Sequence, residues 1–248
     1  RSPSNTLIEP ATIGAMLAGG IQEVCVWKRP LAGIIPTGDE IVPPGENPEE
    51  GKIMEFNSSI FSSMLYKWNA RSKVYDIVPD DIELIKGALL KAVSECDLVL
   101  INAGSSAGRD DYTARAIEEL GKLLVHGIAI RPGKPAVLGL IKGKPVIGVP
   151  GYPVSGIIVL EKLVKPLIEY YTCSRIPEKR TAKAVLSKRI VSSLKYEEFV
   201  RVKLGSVDDR LVAVPLNRGA GVVTSFVKAD GILRIPLNSE GYESGQTV

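Results

Sequence analysis

The run "DLVLIN", residues 97–102, constrains this 248-residue chain more than any other stretch. Leu98, Val99, Leu100 and Ile101 leave it no polar face, so it needs cover on both sides, as a central strand of a parallel sheet has. Parallel strands need crossover helices, and the flanking sequence supplies them. "LAGIIPTGDE" (31–40) reads as an apolar strand stopped by Pro36 and Gly38. "NSSIFSSMLYKW" (57–68) reads as a helix N-capped by Asn57, with Ile60, Phe61, Met64, Leu65 and Trp68 on one face. "KVYDIV" (73–78) reads as a strand. In "DDIELIKGALLKAVSE" (80–95), Ile82, Ile85, Leu89 and Val93 fall at helical spacing behind capping aspartates. A helix from about Tyr112 to Leu120, strands "KLLVHGIAI" and "KPVIGVP", and the helix "PVSGIIVLEKLVKPLIEYY" complete the series. The alternation predicts an α/β fold, a doubly wound and mostly parallel sheet over residues 31–172.

Beyond "CSRIPEKR" (173–180) the pattern changes. "TAKAVLSKRIV", "YEEFVRVKLG", "RLVAVPL" and "GILRIPL" are short, β-rich and separated by Gly, Pro, Asn and Asp, which predicts a small all-β domain over 178–248. Residues 1–30 offer a short helix in "IEPATIGAMLAGGI" and a strand in "EVCVWK", with too little apolar surface to stand alone. They read as the remnant of an N-terminal linker domain. The opening Arg1 and the closing "GQTV", where an alternating pattern stops short, read as cuts in a longer protein.

A net charge of +3 without blocks of like charge argues against a nucleic-acid partner. No apolar run reaches the roughly 18 residues of a membrane span, so a cytoplasmic protein without a membrane partner is expected. Cys25, Cys96 and Cys173 lack metal-ligand spacing and read as thiols in a reducing compartment.

In an open α/β sheet ligands bind outside the carboxyl ends of the strands. Three polar, glycine-bearing loops follow predicted strands: "PTGDE" (36–40), "AGSSAGRDDYT" (103–113) and "PGYPVSG" (150–156). Gly104 and Gly108 permit close backbone approach, while Ser105 and Ser106 can donate to phosphate oxygens. Asp110 and Asp111 precede a helix; either is an N-cap, worth roughly 1 kcal/mol, or a ligand for Mg²⁺, which takes hard oxygen donors. Turn chemistry alone accounts for Gly38 and Asp39, but not for Glu40. Together Asp39, Glu40, Asp110 and Asp111 make a candidate metal set. Gly151 and Ser155 flank Pro153 at the expected first helical position, either a plain helix start or a cradle of N–H groups for an anion. Arg131 and Lys134 sit in "RPGKP", a rigid turn that would aim both cations. Neither a P-loop nor a G-x-G-x-x-G spacing is present, and the single histidine, His126, falls in a strand-like run without a Ser-His-Asp set.

These loops, in this order, resemble the MoeA family of molybdopterin molybdenumtransferases, which includes the E domain of gephyrin. The matching stretches are "IIPTGDEIV", "NSSIFSSML", "VPDD", "DLVLINAGSSAGRDDYT", "HGIAIRPGKPAVLG", "GVPGYPVSG" and "VKPLIEYY", with a weaker match over the C-terminal strands. The resemblance implies a MogA-like molybdopterin-binding α/β domain, a small β domain and an elongated homodimer. It implies insertion of molybdate into adenylated molybdopterin with release of AMP, dependent on a divalent cation, and possible contact with the molybdopterin adenylyltransferase. On that basis Glu40, Asp111 and Lys134 would be catalytic, and Asp39, Glu40, Asp110 and Asp111 would handle metal and nucleotide. Gly104, Ser105, Ser106, Gly108, Arg131, Lys134, Gly151 and Ser155 would hold the pterin or anion. Arg201 in "EEFVRVKL" matches an arginine that the family's β domain adds to the anion site. The chain departs from the family at Tyr152, where Asn is usual, at Arg131, where Lys is usual, at "AGSS" for "GGVS", and at Ala220, where a serine is common. A module that binds molybdopterin or molybdate without turnover, as a sensor within a larger fusion, is the second reading. Another enzyme on the same α/β domain is the third, and the strands after 178 argue against it.

Overall fold

A computed structural model describes residue 5 and residues 7–103, 112–177 and 180–248. The expected loop residues Gly104, Ser105, Ser106, Gly108, Asp110 and Asp111 lie outside the described residues. The elements run α1 (Pro10–Ala18), β1 (Leu31–Pro36), β2 (Ile41–Val42), β3 (Ile53–Met54), α2 (Asn57–Lys67), β4 (Arg71–Val74), α3 (Ile82–Glu95), β5 (Leu98–Ala103) and α4 (Tyr112–Leu120). They continue with β6 (Lys122–His126), β7 (Ile130–Arg131), β8 (Val137–Ile141), β9 (Lys144–Pro150), α5 (Pro153–Val159), a π turn (Leu160–Val164) and α6 (Lys165–Thr172). The last part holds β10 (Val185–Leu186), β11 (Ile190–Val191), β12 (Glu197–Val207), β13 (Arg210–Pro215), α7 (Thr224–Lys228), β14 (Gly231–Ile235) and β15 (Gly241–Tyr242).

The first sheet has the order β4-β1-β5-β9-β8-β6, with β4, β1, β5 and β9 parallel and β8 and β6 antiparallel at one edge. Strand β5 lies between β1 and β9, and Leu98 through Ile101 are wholly buried. Its alternate side chains feed two cores, as strand geometry requires. Leu98 and Leu100 join Phe61, Leu65, Ile147 and Ile158 on the face covered by α2 and α5. Val99 and Ile101 join Ile85, Leu89 and Ile117 on the face covered by α3 and α4. Burying a strand on both faces is what its unbroken apolar run demanded.

Strand β12 organises the second sheet, β10-β13-β12-β14, and also pairs with β7 of the first part, Glu197 with Ile130 and Glu198 with Arg131. Val200, Val202, Ala213 and Ile235 form its core, while Phe199 faces the other way into the α/β core. Ala184 and Val248 exchange backbone hydrogen bonds at the closing edge.

Several local expectations need correction. Asn57 is the first residue of α2 and not its cap; the carboxylate of buried Glu55 accepts the Ser58 N–H there. "KVYDIV" is strand only through Val74, since Tyr75 turns its hydroxyl to Glu95 and Cys96. "KLLVHGIAI" is not one strand: it breaks at Gly127 (φ 84°), and Ile130–Arg131 leaves the sheet to pair with β12. Val137–Ile141 is a strand that the sequence reading did not predict. "EVCVWK" forms no strand, because residues 23–28 are exposed and have no neighbouring ladder. Asp81 caps α3 as expected, accepting the N–H groups of Glu83 and Leu84.

Helix α5 crosses α2 at Gly156, where an added Cβ would lie 2.7 Å from Cζ of Phe61. Phe61 is fully buried and has no room to retreat. Gly156→Ala is therefore expected to destabilise the protein by about 1–3 kcal/mol in urea unfolding.

Candidate functional site

The carboxyl ends of β1, β5 and β9 bring three loops to one edge of the sheet. The β1 loop is tied to β5: Thr37 donates its N–H and its hydroxyl to the Asn102 carbonyl, at 3.0 and 3.2 Å. Gly38 (φ 142°) donates to the Val78 carbonyl, and the Glu40 carboxylate folds back so closely that a Cβ on Gly38 would sit 2.7 Å from Oε2. Glycine at 38 thus serves both the backbone turn and the approach of Glu40.

Asp39 accepts the Asp80 N–H on Oδ1 (3.1 Å), and its carbonyl accepts from the Lys52 ammonium (2.6 Å). Burial and the neighbouring Asp39 and Glu40 charges push the Asp80 carboxyl above the usual carboxylate range. The sequence reading missed Asp80 as the third acid of this loop, although it stands in the quoted "VPDD". Among the described residues no group of three or more His, Cys, Asp or Glu side chains is placed to hold a metal ion. Asp39 and Glu40 therefore offer hard oxygens but not a complete set. Asp110 and Asp111 lie outside the described residues.

The β9 loop is also more occupied than expected. The Gly151 carbonyl accepts from Asn57 Nδ2 at 2.7 Å. Of the first-turn amides of α5, Pro153 has none and Val154 donates to the Ala220 carbonyl of the β domain at 3.1 Å. The open cradle of N–H groups is thereby narrowed, and Ser155 is buried behind it. The ring of Tyr152 lies over Gly221, where an added Cβ would be 3.5 Å from Cδ1. Among the described residues, Asn57 Oδ1 and Asn102 Oδ1 are buried at this edge without hydrogen-bond partners. A buried acceptor without a donor costs about 1–3 kcal/mol, so neither is explained by packing.

Arg131 and Lys134 come together as expected, but against the β domain. The Arg131 guanidinium lies 4.2 Å from the Tyr196 ring centroid, and its Nη1 is 3.8 Å from Oε1 of buried Glu198. Arg218 Nη1 approaches the other oxygen of Glu198 at 3.4 Å and donates to the Val191 carbonyl at 2.8 Å. The Lys134 ammonium, 5.9 Å from the ring centroid, and Arg131 together draw the Tyr196 phenol below the ordinary tyrosine value. Tyr196, Glu198 and Arg218 were missed; only the basic-aromatic run around "KYEEF" hinted at them.

Arg201 is 2% exposed and pairs with no carboxylate among the described residues. Its Nη2 donates to the carbonyls of Asn217 (2.5 Å) and Gly219 (3.2 Å), its Nε has no partner among the described residues, and burial pulls its pKa down. Alternation along β12 puts it on the face opposite Glu198, so no direct contact joins it to Arg131 or Lys134. Residues 217–221 link the two groups: Arg218 meets Glu198, the Gly219 carbonyl meets Arg201, and the Ala220 carbonyl meets α5. Arg201 is thus a buried guanidinium held by backbone carbonyls, and such a group binds anions well wherever a donor is left over.

The fold is an open α/β sheet with acidic and amide groups at its strand ends, joined through a cationic turn to a β domain that adds a buried arginine. The chain belongs to the family described as "Probable molybdopterin binding domain", matched over residues 33–170, and residues 183–248 match the MoeA C-terminal region, domain IV. It is 35% identical over 250 positions to a molybdopterin biosynthesis protein of Methanocaldococcus jannaschii, covering 98% of this chain and 60% of that protein. It is 27% identical over 245 positions to the molybdopterin molybdenumtransferase of Bacillus subtilis, covering 98% and 57%. The solved structure of a molybdopterin biosynthesis MoeA protein from a Pyrococcus species superposes with a TM-score of 0.82 at 38% identity, covering 96% of this chain and 57% of that one. The chain thus spans less than two thirds of the length of these relatives.

The raised Asp80 carboxyl makes a signed prediction. A folded-state pKa above the unfolded value means that the ionised group destabilises the fold at neutral pH, and that the penalty fades as pH falls through the raised value toward about 4. Asp80→Asn should therefore raise the thermal midpoint at pH 7 and leave it unchanged near pH 3.5. A midpoint lowered at both pH values would show that the Asp80 charge is not under strain.

Proposed function

We propose that this chain is the catalytic part of a molybdopterin molybdenumtransferase. In this role it acts in molybdenum cofactor biosynthesis, inserting molybdate into adenylated molybdopterin with release of AMP. The observation that carries the reading is the β7–β12 ladder, which sets the cationic turn of the molybdopterin-binding domain against the domain IV match. The names of the relatives support the same chemistry.

On this reading the sheet edge holds the pterin and its phosphate, with Asn57, Asn102, Gly151 and Ser155 beside it, and Gly104, Ser105, Ser106 and Gly108 would contact the same ligand. Arg131 and Lys134 bind molybdate, while Arg201 holds the loop 217–221 and keeps one donor for an anion. Molybdate is a dianion, and its attack on the phosphoanhydride accumulates charge near these groups. Fixed cations in a partly desolvated site stabilise that charge without reorganising. Mg²⁺, when bound, would polarise the phosphate being cleaved; Asp39 and Glu40 would hold it together with Asp110 and Asp111. Glu40 and Asp111 would orient the reacting groups.

We assign residues 1–30 to a linker domain, 31–172 to the pterin-binding domain and 178–248 to the β domain; the presence of two main sheets supports the last two. A homodimer fits the exposed apolar side chains of Leu7, Ile13, Leu17, Ile21, Val26 and Trp27, since α1 buries no residue within this chain. Contact with the molybdopterin adenylyltransferase would deliver a reactive substrate directly. Among the described residues no helix is long and apolar enough to cross a membrane, and a cytoplasmic setting suits the free thiols.

The test is AMP release from adenylated molybdopterin by the purified chain with Mg²⁺ and molybdate. Molybdate-dependent release is expected, with Lys134→Ala lowering it about a hundredfold. Tight binding without release would support the alternative of a module that holds molybdopterin or molybdate without turning it over.

A further inference from the structure

Tyr196 enters from the β domain, one residue before β12, and meets both cations of the α/β domain's turn. The Arg131 guanidinium lies over its ring at 4.2 Å, and the Lys134 ammonium stands 5.9 Å from the ring centroid. A phenol both donates and accepts, so it can receive from a nearby ammonium and still give its own proton to a ligand. The 3.8 Å approach of Arg131 Nη1 to Glu198 is an ion pair beyond hydrogen-bond length.

The charge around this phenol is unbalanced. Arg131 and Arg218 share the single Glu198 carboxylate, and Glu197 is engaged by Arg234. With Lys134 beside the phenol, the cluster carries an excess of two positive charges. A tetrahedral oxodianion matches that excess, and it offers acceptor lone pairs to an O–H, an ammonium and a guanidinium at once.

We propose that Tyr196 is itself a ligand for the oxyanion: its hydroxyl donates to one oxygen of a tetrahedral dianion held between Arg131 and Lys134, while its ring fixes the direction of Arg131. The proposal rests on the reading of Arg131 and Lys134 as the oxyanion holders. Either free molybdate or a phosphate group of the larger substrate supplies the shared chemistry.

Calorimetric titration of the full 248-residue chain with molybdate, and separately with inorganic phosphate, tests it. The anion that binds more tightly identifies the source. Tyr196→Phe keeps the stacked ring and should weaken that binding about tenfold, with the melting temperature unchanged. Equal affinity in the unchanged chain and in Tyr196→Phe overturns the role of the hydroxyl but leaves the functional reading intact. Binding of neither anion by the unchanged chain overturns that reading and the proposal together. A pH series gives a readout that structural support alone would not move. Arg131, Lys134, Glu197, Glu198, Arg218 and Arg234 surround the phenol and its strand, and the two cations of the turn lower its pKa. The unchanged chain should therefore lose affinity as one proton leaves below about pH 10, a step absent from Tyr196→Phe. The same alkaline loss in both proteins would overturn the proposal.

Discussion

Two residues of backbone pairing, Ile130–Arg131 with Glu197–Glu198, govern how this molecule is arranged. A ladder that short is weak by itself, yet it is parallel and it begins the strand around which the whole β domain is built. Once Glu198 lies beside Arg131, the remaining contacts of the junction follow along the same strand. Phe199 enters the α/β core, Val200 enters the β core, and Arg201 turns back toward the 217–221 loop. Strand β12 is buried from Glu198 through Val202 because two different cores claim its two faces. The register of the ladder therefore decides which side chains reach the sheet edge, since a slip of one residue would exchange the faces.

The fold was legible where local pattern and burial agree. Strand β5 has to be central because its four aliphatic residues cannot be half solvated, and helices α2, α3 and α4 show the spacing that their cores require. Strand β8 was hidden by Gly139, which looks like a strand breaker. It is there because Ile117 Cγ2 would lie 2.2 Å from any Cβ, a contact with α4 that no local pattern reveals. The division of "KLLVHGIAI" was hidden for the opposite reason: its apolar run is continuous, and only a partner some 67 positions further on separates β6 from β7. Asn57 looked like a cap because Asn favours that position, but its side chain is drawn across to Gly151 by a tertiary bond.

The same division runs through the site. Glu40, Arg131 and Lys134 stand out in sequence because turns built from glycine and proline do not otherwise need charge at those positions. Tyr196, Glu198 and Arg218 do not stand out, since each looks like an ordinary residue of an alternating strand or its loop. Their meaning is purely long-range, and it depends on the β7–β12 ladder. Arg201 was reached only through the family resemblance; nothing in "EEFVRVKL" distinguishes it from a solvent-facing arginine. Its near-complete burial without a carboxylate is the structural property that sets it apart.

Burying a guanidinium is unfavourable unless every donor is met, and here, among the described residues, Nε is not. Under the proposed function that donor has a second task besides holding Asn217 and Gly219, which is to meet an incoming anion. The 217–221 loop gives the task a direction, because it touches Glu198, Arg201 and the first turn of α5 through successive residues. An anion arriving at Arg201 would compete for the guanidinium that holds Gly219. Any shift of that loop would be felt at the Val154 amide and at the carboxylate restraining Arg131. The three groups are thus linked by one ion pair and two backbone carbonyls of a single loop rather than by direct contact. That loop and the short ladder together fix where the β domain meets the cations of the α/β domain.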